Sequence, residues 1–266
     1  MTSHGRHELA ALVDAMLEGA ALRDVGAGRP VLMLHGGGGV PNVAGLSQSL
    51  SATARVLTPT HPGFDGTIRP DWLHSIADLA QFYLALLDRL EIGGIVVAGS
   101  SLGGWIASEM ALQAPARVKG LILINAVGIA VEGHPVVDVS QLALPALMRL
   151  AHHDPAKMMA SASPPSPRQQ EFRTANAAAL AAYDNGANMQ DPCLRGRLAD
   201  VSAPTLVLWG ESDGIASPHY GAAYADAFQN GVYERIPEAG HLPQIEQPAR
   251  VSALIGAFLR RLDGVS

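Results

Sequence analysis

Cysteine occurs once in the 266 residues, at Cys193, so no internal disulfide can form and no cysteine-based zinc site can be assembled. That usage fits a reducing cytoplasm, which is the expected location. Basic residues are outnumbered: 18 Lys+Arg against 24 Asp+Glu leave a formal charge of −6, with a pI near 5.9 and the arginines scattered along the chain. Such a surface has little with which to neutralise phosphates, so nucleic acid is not an expected partner. Long hydrophobic runs are missing too. The longest, Leu121 to Val131, contains Asn125 and falls well short of the ~20 residues of a membrane span. Near the N-terminus Leu9, Leu12, Val13, Met16 and Leu17 recur at helical spacing, while Asp14 and Glu18 interrupt what a secretion signal would keep apolar. A short amphipathic helix is expected there. Aromatic residues make up only 5%, which excludes little about a binding cavity, because aliphatic side chains and methionine can line one.

Apolar residues, by contrast, reach 48%. A chain of this length can withdraw roughly 70–75% of its unfolded surface from water, so its core needs neither disulfides nor a structural metal. From residue 30 short β-branched runs alternate with longer helical patterns, the signature of a parallel sheet covered by helices on both faces. Strands are expected at Val31–Leu34, Arg55–Leu57, Ile95–Ala98, Leu121–Ile124, Thr205–Trp209 and Val232–Ile236. Ser75–Leu90 carries Ile76, Leu79, Phe82, Tyr83, Leu86, Leu87 and Leu90 on one helical face. The alternation stops between Gly128 and Asp200, where Pro135, Pro145, Pro155, Pro164, Pro165, Pro167 and Pro192 punctuate the chain. Helices joined by proline turns are expected there, forming a lid over residues 128–200 between core segments 1–127 and 201–266. Its Met148, Met158 and Met189, together with Gly38 and Trp105 of the core, are the expected substrate-binding residues.

The chemistry concentrates around Gly99-Ser100-Ser101-Leu102-Gly103. A buried strand runs straight into Gly-x-Ser-x-Gly and then into a helical pattern, so the middle serine stands on a sharp turn at the sheet's C-terminal edge. The alternative is that Ser101 merely caps the helix. A serine hydroxyl is a weak nucleophile and needs a base and an orienting acid. Asp213 follows the strand Thr205–Trp209, and His241 follows Val232–Ile236, each just beyond a strand's C-terminal end. Serine, aspartate and histidine thus occur in the order this architecture requires. His241 would take the serine proton and return it to the leaving group, while Asp213 would fix the imidazole tautomer. Glu211 is the nearest competitor for the acid; the other acid position on the sheet holds Asn125. For the negative oxygen of an acyl intermediate, Leu102 N–H offers one donor, and the loop His35-Gly36-Gly37-Gly38-Gly39 offers the other, with Gly37 favoured over Gly38. His61 reads as a loop residue near a cavity mouth, and His152-His153 as neighbours pointing to different faces. No metal and no cofactor is expected.

Taken together, His35-Gly36-Gly37-Gly38, His61-Pro62-Gly63-Phe64, Gly99-Ser100-Ser101-Leu102-Gly103-Gly104, Trp209-Gly210-Glu211-Ser212-Asp213 and Gly240-His241-Leu242-Pro243 resemble the α/β-hydrolase family over nearly the whole chain. The resemblance implies an eight-stranded, mostly parallel sheet with a helical cap after the sixth strand, and Gly37 and Leu102 as oxyanion donors. The glycine-rich loop is similar to that of carbon–carbon bond hydrolases acting on ring-cleavage products. Those usually carry Asn at the position of Ser100 and Trp at that of Leu242. Epoxide hydrolases and haloalkane dehalogenases place Asp where Ser101 stands. The expected activity is hydrolysis of a small or medium carboxylic ester, with carbon–carbon hydrolysis of a diketone-like compound, or a non-catalytic ligand receptor, as the alternatives. The expected partner is a small ester-like molecule, not a membrane, and the sequence allows a monomer or a homodimer.

Overall fold

The computed structural model describes residues 3–161 and 164–264. The outermost residues of spans 1–127 and 201–266, and two residues within 128–200, lie outside the described residues. Helix α1 (Ser3–Glu18) buries Val13 and Met16 of the expected stripe. There follow β1 (Leu22–Val25), β2 (Pro30–Leu34), α2 (Pro41–Leu50), β3 (Arg55–Pro59), α3 (Ile76–Arg89), β4 (Ile95–Ser100), α4 (Leu102–Gln113) and β5 (Val118–Ile124). The proline-punctuated segment holds β6 (Gly128–Ile129), α5 (Leu144–Ala151), α6 (Pro155–Ser161), α7 (Pro167–Asp184), β7 (Gln190–Asp191), α8 (Leu194–Arg197) and a 3-10 turn at Leu198–Asp200. The chain closes with β8 (Thr205–Gly210), α9 (Pro218–Asp226), β9 (Gly231–Ile236), α10 (Pro243–Glu246) and α11 (Pro248–Leu262).

The main sheet runs β1-β3-β2-β4-β5-β8-β9, with β1 antiparallel to β3 and every other pair parallel. Among the described residues it has seven strands rather than the expected eight. The residues that could have supplied another strand ahead of β1 carry helical apolar spacing and form α1 instead. The insert accordingly follows the fifth strand of this sheet. β1 is an edge strand with Arg23 and Asp24 exposed, charges that discourage pairing with another chain.

Side-chain alternation divides the core into two layers. On β2, Leu32 and Leu34 join Phe82, Tyr83, Ile106 and Met110 of α3 and α4, whereas Val31 and Met33 join Val43, Leu46, Val251 and Ile255 of α2 and α11. Each such aliphatic side chain contributes about 1.5–3 kcal/mol when fully buried. Helix α3 begins where Ser75 and Asp78 exchange side-chain and backbone hydrogen bonds in a capping box, which satisfies free N–H groups of its first turn.

In the insert three of the seven prolines stand at helix starts, Pro145 in the first turn of α5, Pro155 opening α6 and Pro167 opening α7, where a missing N–H loses no intrahelical bond. Parallel pairing of β6 with β7 closes its neck. Helix α7 lies on the core loops: Tyr183 donates its hydroxyl to Pro62 O at 2.9 Å, and Asn176 accepts from Asp65 N at 2.7 Å while donating to its carboxylate at 2.9 Å. No helix among the described residues is long and apolar enough to cross a membrane.

Candidate active site

Ser101 links β4 to α4 with φ 53° and ψ −117°, a conformation side chains rarely adopt, and it is held by close packing on both sides. A Cβ at Gly99 would stand 2.1 Å from Gly103 O, and one at Gly103 would stand 2.3 Å from Leu34 O, so no larger residue fits either position without moving backbone. The Ser101 hydroxyl makes no capping hydrogen bond. It is paired instead with His241, whose Nε2 lies 3.0 Å from Oγ.

The other imidazole nitrogen, His241 Nδ1, donates to Asp213 Oδ2 at 2.8 Å. A carboxylate can only accept, so Nδ1 carries the proton and Nε2 presents its lone pair to the serine hydroxyl. Asp213 is itself fixed by donors: Oδ1 accepts from Ile215 N (2.8 Å) and Ala216 N (3.1 Å), and Oδ2 also accepts from Asn125 Nδ2 (2.7 Å). Glu211, the rival acid, faces Arg235 at 3.5 Å near the surface.

The glycine-rich loop runs directly against the serine. A Cβ at Gly36 would lie 2.9 Å from Ser101 Cβ, so the loop passes the serine one residue before Gly37, while Leu102 opens α4, where the first N–H groups have no intrahelical acceptor. Underneath, a buried polar chain holds the loop. His61 N–H donates to His35 Nε2 at 3.0 Å, His61 Nε2–H donates to His35 O at 2.8 Å, and the Tyr83 hydroxyl donates to His61 Nδ1. Burial pushes the His35 imidazole down to about 4, and burial with the neighbouring His35 holds His61 well below the ordinary imidazole range. Both are therefore neutral, as their roles as acceptors require. His61 is thus a fully buried support for the loop, not a residue at a cavity mouth.

A model of the alpha/beta hydrolase family matches residues 31–254. The chain belongs to that family. Among its relatives is a 2-hydroxy-6-oxo-2,4-heptadienoate hydrolase of Pseudomonas putida, 28% identical over 91% of this chain and 93% of the relative. A 2-hydroxymuconate semialdehyde hydrolase from a Pseudomonas species is 27% identical over 92% of each. A solved thermophilic esterase from Thermogutta terrifontis is 27% identical and superposes with a TM-score of 0.71, over 91% of this chain and 93% of its own.

Other expected substrate residues of this hydrolase are scattered. Trp105 is buried in the first turn of α4 with Gly128 against its ring, and Gly38 is backed by the Asn42 side chain. Met148 is half-buried on α5, and Met189 packs on the core. Met158 lines a cavity of about 300 Å³ with His153, Lys157 and Glu246, a set containing neither Ser101 nor His241. At Gly37 the glycine loop is covered by Leu180 of α7, whose side chain lies 3.0 Å from where a Cβ would be. Sequence reading missed it because α7 has a weak apolar stripe. It also treated Asn125 only as a missing carboxylate, although its place at the end of β5, level with the acid, was the available signal. Among the described residues no cluster of three or more His, Cys, Asp or Glu side chains could hold a metal.

Proposed function

We propose that this hydrolase cleaves a small or medium carboxylic ester through an acyl-enzyme on Ser101. The observation that carries the reading is the continuous hydrogen-bonded chain from Ser101 Oγ through the His241 imidazole to Asp213. Ser101 Oγ attacks the ester carbonyl carbon as His241 Nε2 takes its proton, and Asp213 stabilises the imidazolium so formed. The carbonyl oxygen, now negative, is held by Leu102 N–H and Gly37 N–H, which need no reorganisation because both are backbone groups on fixed elements. His241 then protonates the departing alkoxide, leaving an ester on Ser101. Water attacks that ester with the same base, and the carboxylic acid departs. Residues 128–200 serve as the cap, and Leu180 limits the space for the acyl group beside Gly37.

The second reading is carbon–carbon bond hydrolysis, favoured by the resemblance to the two ring-cleavage-product hydrolases. Ser100 and Leu242 weigh against it. Ser101→Ala is expected to lower kcat on p-nitrophenyl acetate by on the order of 10⁴-fold or more while leaving the unfolding transition cooperative. Turnover by that variant at the unsubstituted rate would remove Ser101 from the reaction. In parallel assays, rapid turnover of a dienoate ring-cleavage product with none of any nitrophenyl ester would replace the ester reading by the second.

A further inference from the structure

His241 is carried on a loop whose backbone is held from outside the serine, histidine and aspartate set. Glu246 lies five residues beyond it, at the end of α10, with its side chain only 6% exposed. Its carboxylate folds back along the chain: Oε2 accepts from Gly240 N at 2.7 Å, so the bond closes a loop that contains His241. Oε1 accepts from His153 N at 2.9 Å, and from Asp154 N at 3.5 Å, where the chain leaves α5. The same end of α5 binds the loops that carry both the base and the acid, since Ala151 O accepts from His241 N (2.8 Å) and Leu150 O accepts from Gly214 N (2.9 Å). Close packing leaves little slack, because a Cβ at Gly240 would stand 2.3 Å from Ala151 O. The nearest imidazole, His152 Nδ1, stands 3.6 Å from Oε2, farther than Gly240 N; burial lowers the pKa of that ring while the Glu246 carboxylate opposes the shift.

We propose that Glu246 is a positioning residue for His241, its buried carboxylate clamping the Gly240 N–H to the end of α5 so that the imidazole stays aligned between Ser101 and Asp213. Charge-assisted bonds of this kind are short and directional, and displacement of a reacting group by about 1 Å is enough to slow chemistry on the order of 100-fold. A consequence is that the α5 end of the insert is a fixed wall of the site. The inference rests on the serine–histidine reading given above, and its test is built to separate the two.

Glu246→Gln keeps the size but replaces one acceptor oxygen with an NH₂ group that must face a backbone N–H. Glu246→Asp keeps both oxygens on a shorter stem. For the full chain and both variants, the rate of covalent modification of Ser101 by a fluorophosphonate is measured together with kcat and KM on p-nitrophenyl acetate. Glu246→Gln is expected to lower both the modification rate and kcat by on the order of 10- to 100-fold, with KM changed by less than about threefold, and Glu246→Asp to recover part of the loss. A folded Glu246→Gln protein that reacts at the unsubstituted rate overturns the proposal, as does a Glu246→Asp protein no better than Glu246→Gln. Should Glu246→Gln fail to fold, Glu246→Asp decides alone: reduced kcat at unchanged KM supports the clamp, and unchanged kcat overturns it. If the unsubstituted protein reacts with the fluorophosphonate but turns over no ester, the ester reading fails while the modification rates still test Glu246.

Discussion

Ser101 occupies a backbone conformation that costs roughly 1–3 kcal/mol, and its neighbours rather than its own preferences keep it there. The strain sets the hydroxyl at the strand's end, where His241 can reach it. Asn125 does comparable work for the acid. Its Nδ2 donates to Asp213 Oδ2 at 2.7 Å, its Oδ1 accepts from Gly210 N at 3.3 Å, and its φ of 44° lies in the left-handed region. Asn125→Gly keeps that backbone without strain and removes only the side-chain bonds. The variant is expected to lose about 1–3 kcal/mol in urea unfolding and on the order of tenfold in kcat on a nitrophenyl ester. Wild-type values of both would show that Asp213 is held adequately by Ile215 and Ala216 alone.

At the scale of elements, β4, α4, β8 and the turns after β8 and β9 were legible because buried strands of a parallel sheet are written as unbroken apolar runs and their C-terminal ends converge. Strand β1 was not legible: four residues, two of them charged, resemble a loop until β3 pairs with them. Strand β9 was legible as a strand although Glu234 and Arg235 break its apolar run, and it lies on the sheet's other edge, where only β8 pairs with it. Helix α7 shows the same limit in the insert. Its contacts with the core run through Asn176, Leu180 and Tyr183, one polar, one apolar and one aromatic side chain, a mixture that gives no clear helical stripe. Leu180→Ala opens space beside Gly37. The ratio of kcat/KM for p-nitrophenyl hexanoate over acetate is expected to rise about tenfold or more, since each methylene in an apolar pocket discriminates by about 10-fold or above. An unchanged ratio would place the acyl group elsewhere.

Across the whole molecule, two apolar layers enclose the sheet, and the buried His35–His61–Tyr83 chain is a polar exception that ties the glycine loop to α3. It also makes stability depend on pH. Unfolded imidazoles titrate near ~6.5, whereas burial holds His35 at about 4 and His61 well below the usual range. As pH falls through 6.5 the unfolded chain takes up protons that the folded chain refuses, so stability declines until the folded His35 titrates near 4. His35 alone accounts for on the order of 3 kcal/mol over that window, and His61 acts in the same direction. Urea midpoints measured at pH 7, 6 and 5, above most carboxylate titration, are expected to fall in that order. A constant midpoint over the range would mean that these rings are not held neutral.

By itself the sequence determined six of the core strands and helices α1, α3 and α4, the strand-end positions of Ser101, Asp213 and His241, and the bareness of the loop from His35 to Gly39. Those features are local, and each is encoded by apolar periodicity or by glycine where a Cβ would collide. Only the tertiary structure decided which side chains support them: Asn125 on the acid, Glu246 behind the histidine loop, His61 and Tyr83 under the glycine loop, and Leu180 above it. Each of these contacts joins residues far apart in the chain or turns a polar group inward. No local pattern marks such a residue, because what it touches is set by how the layers pack.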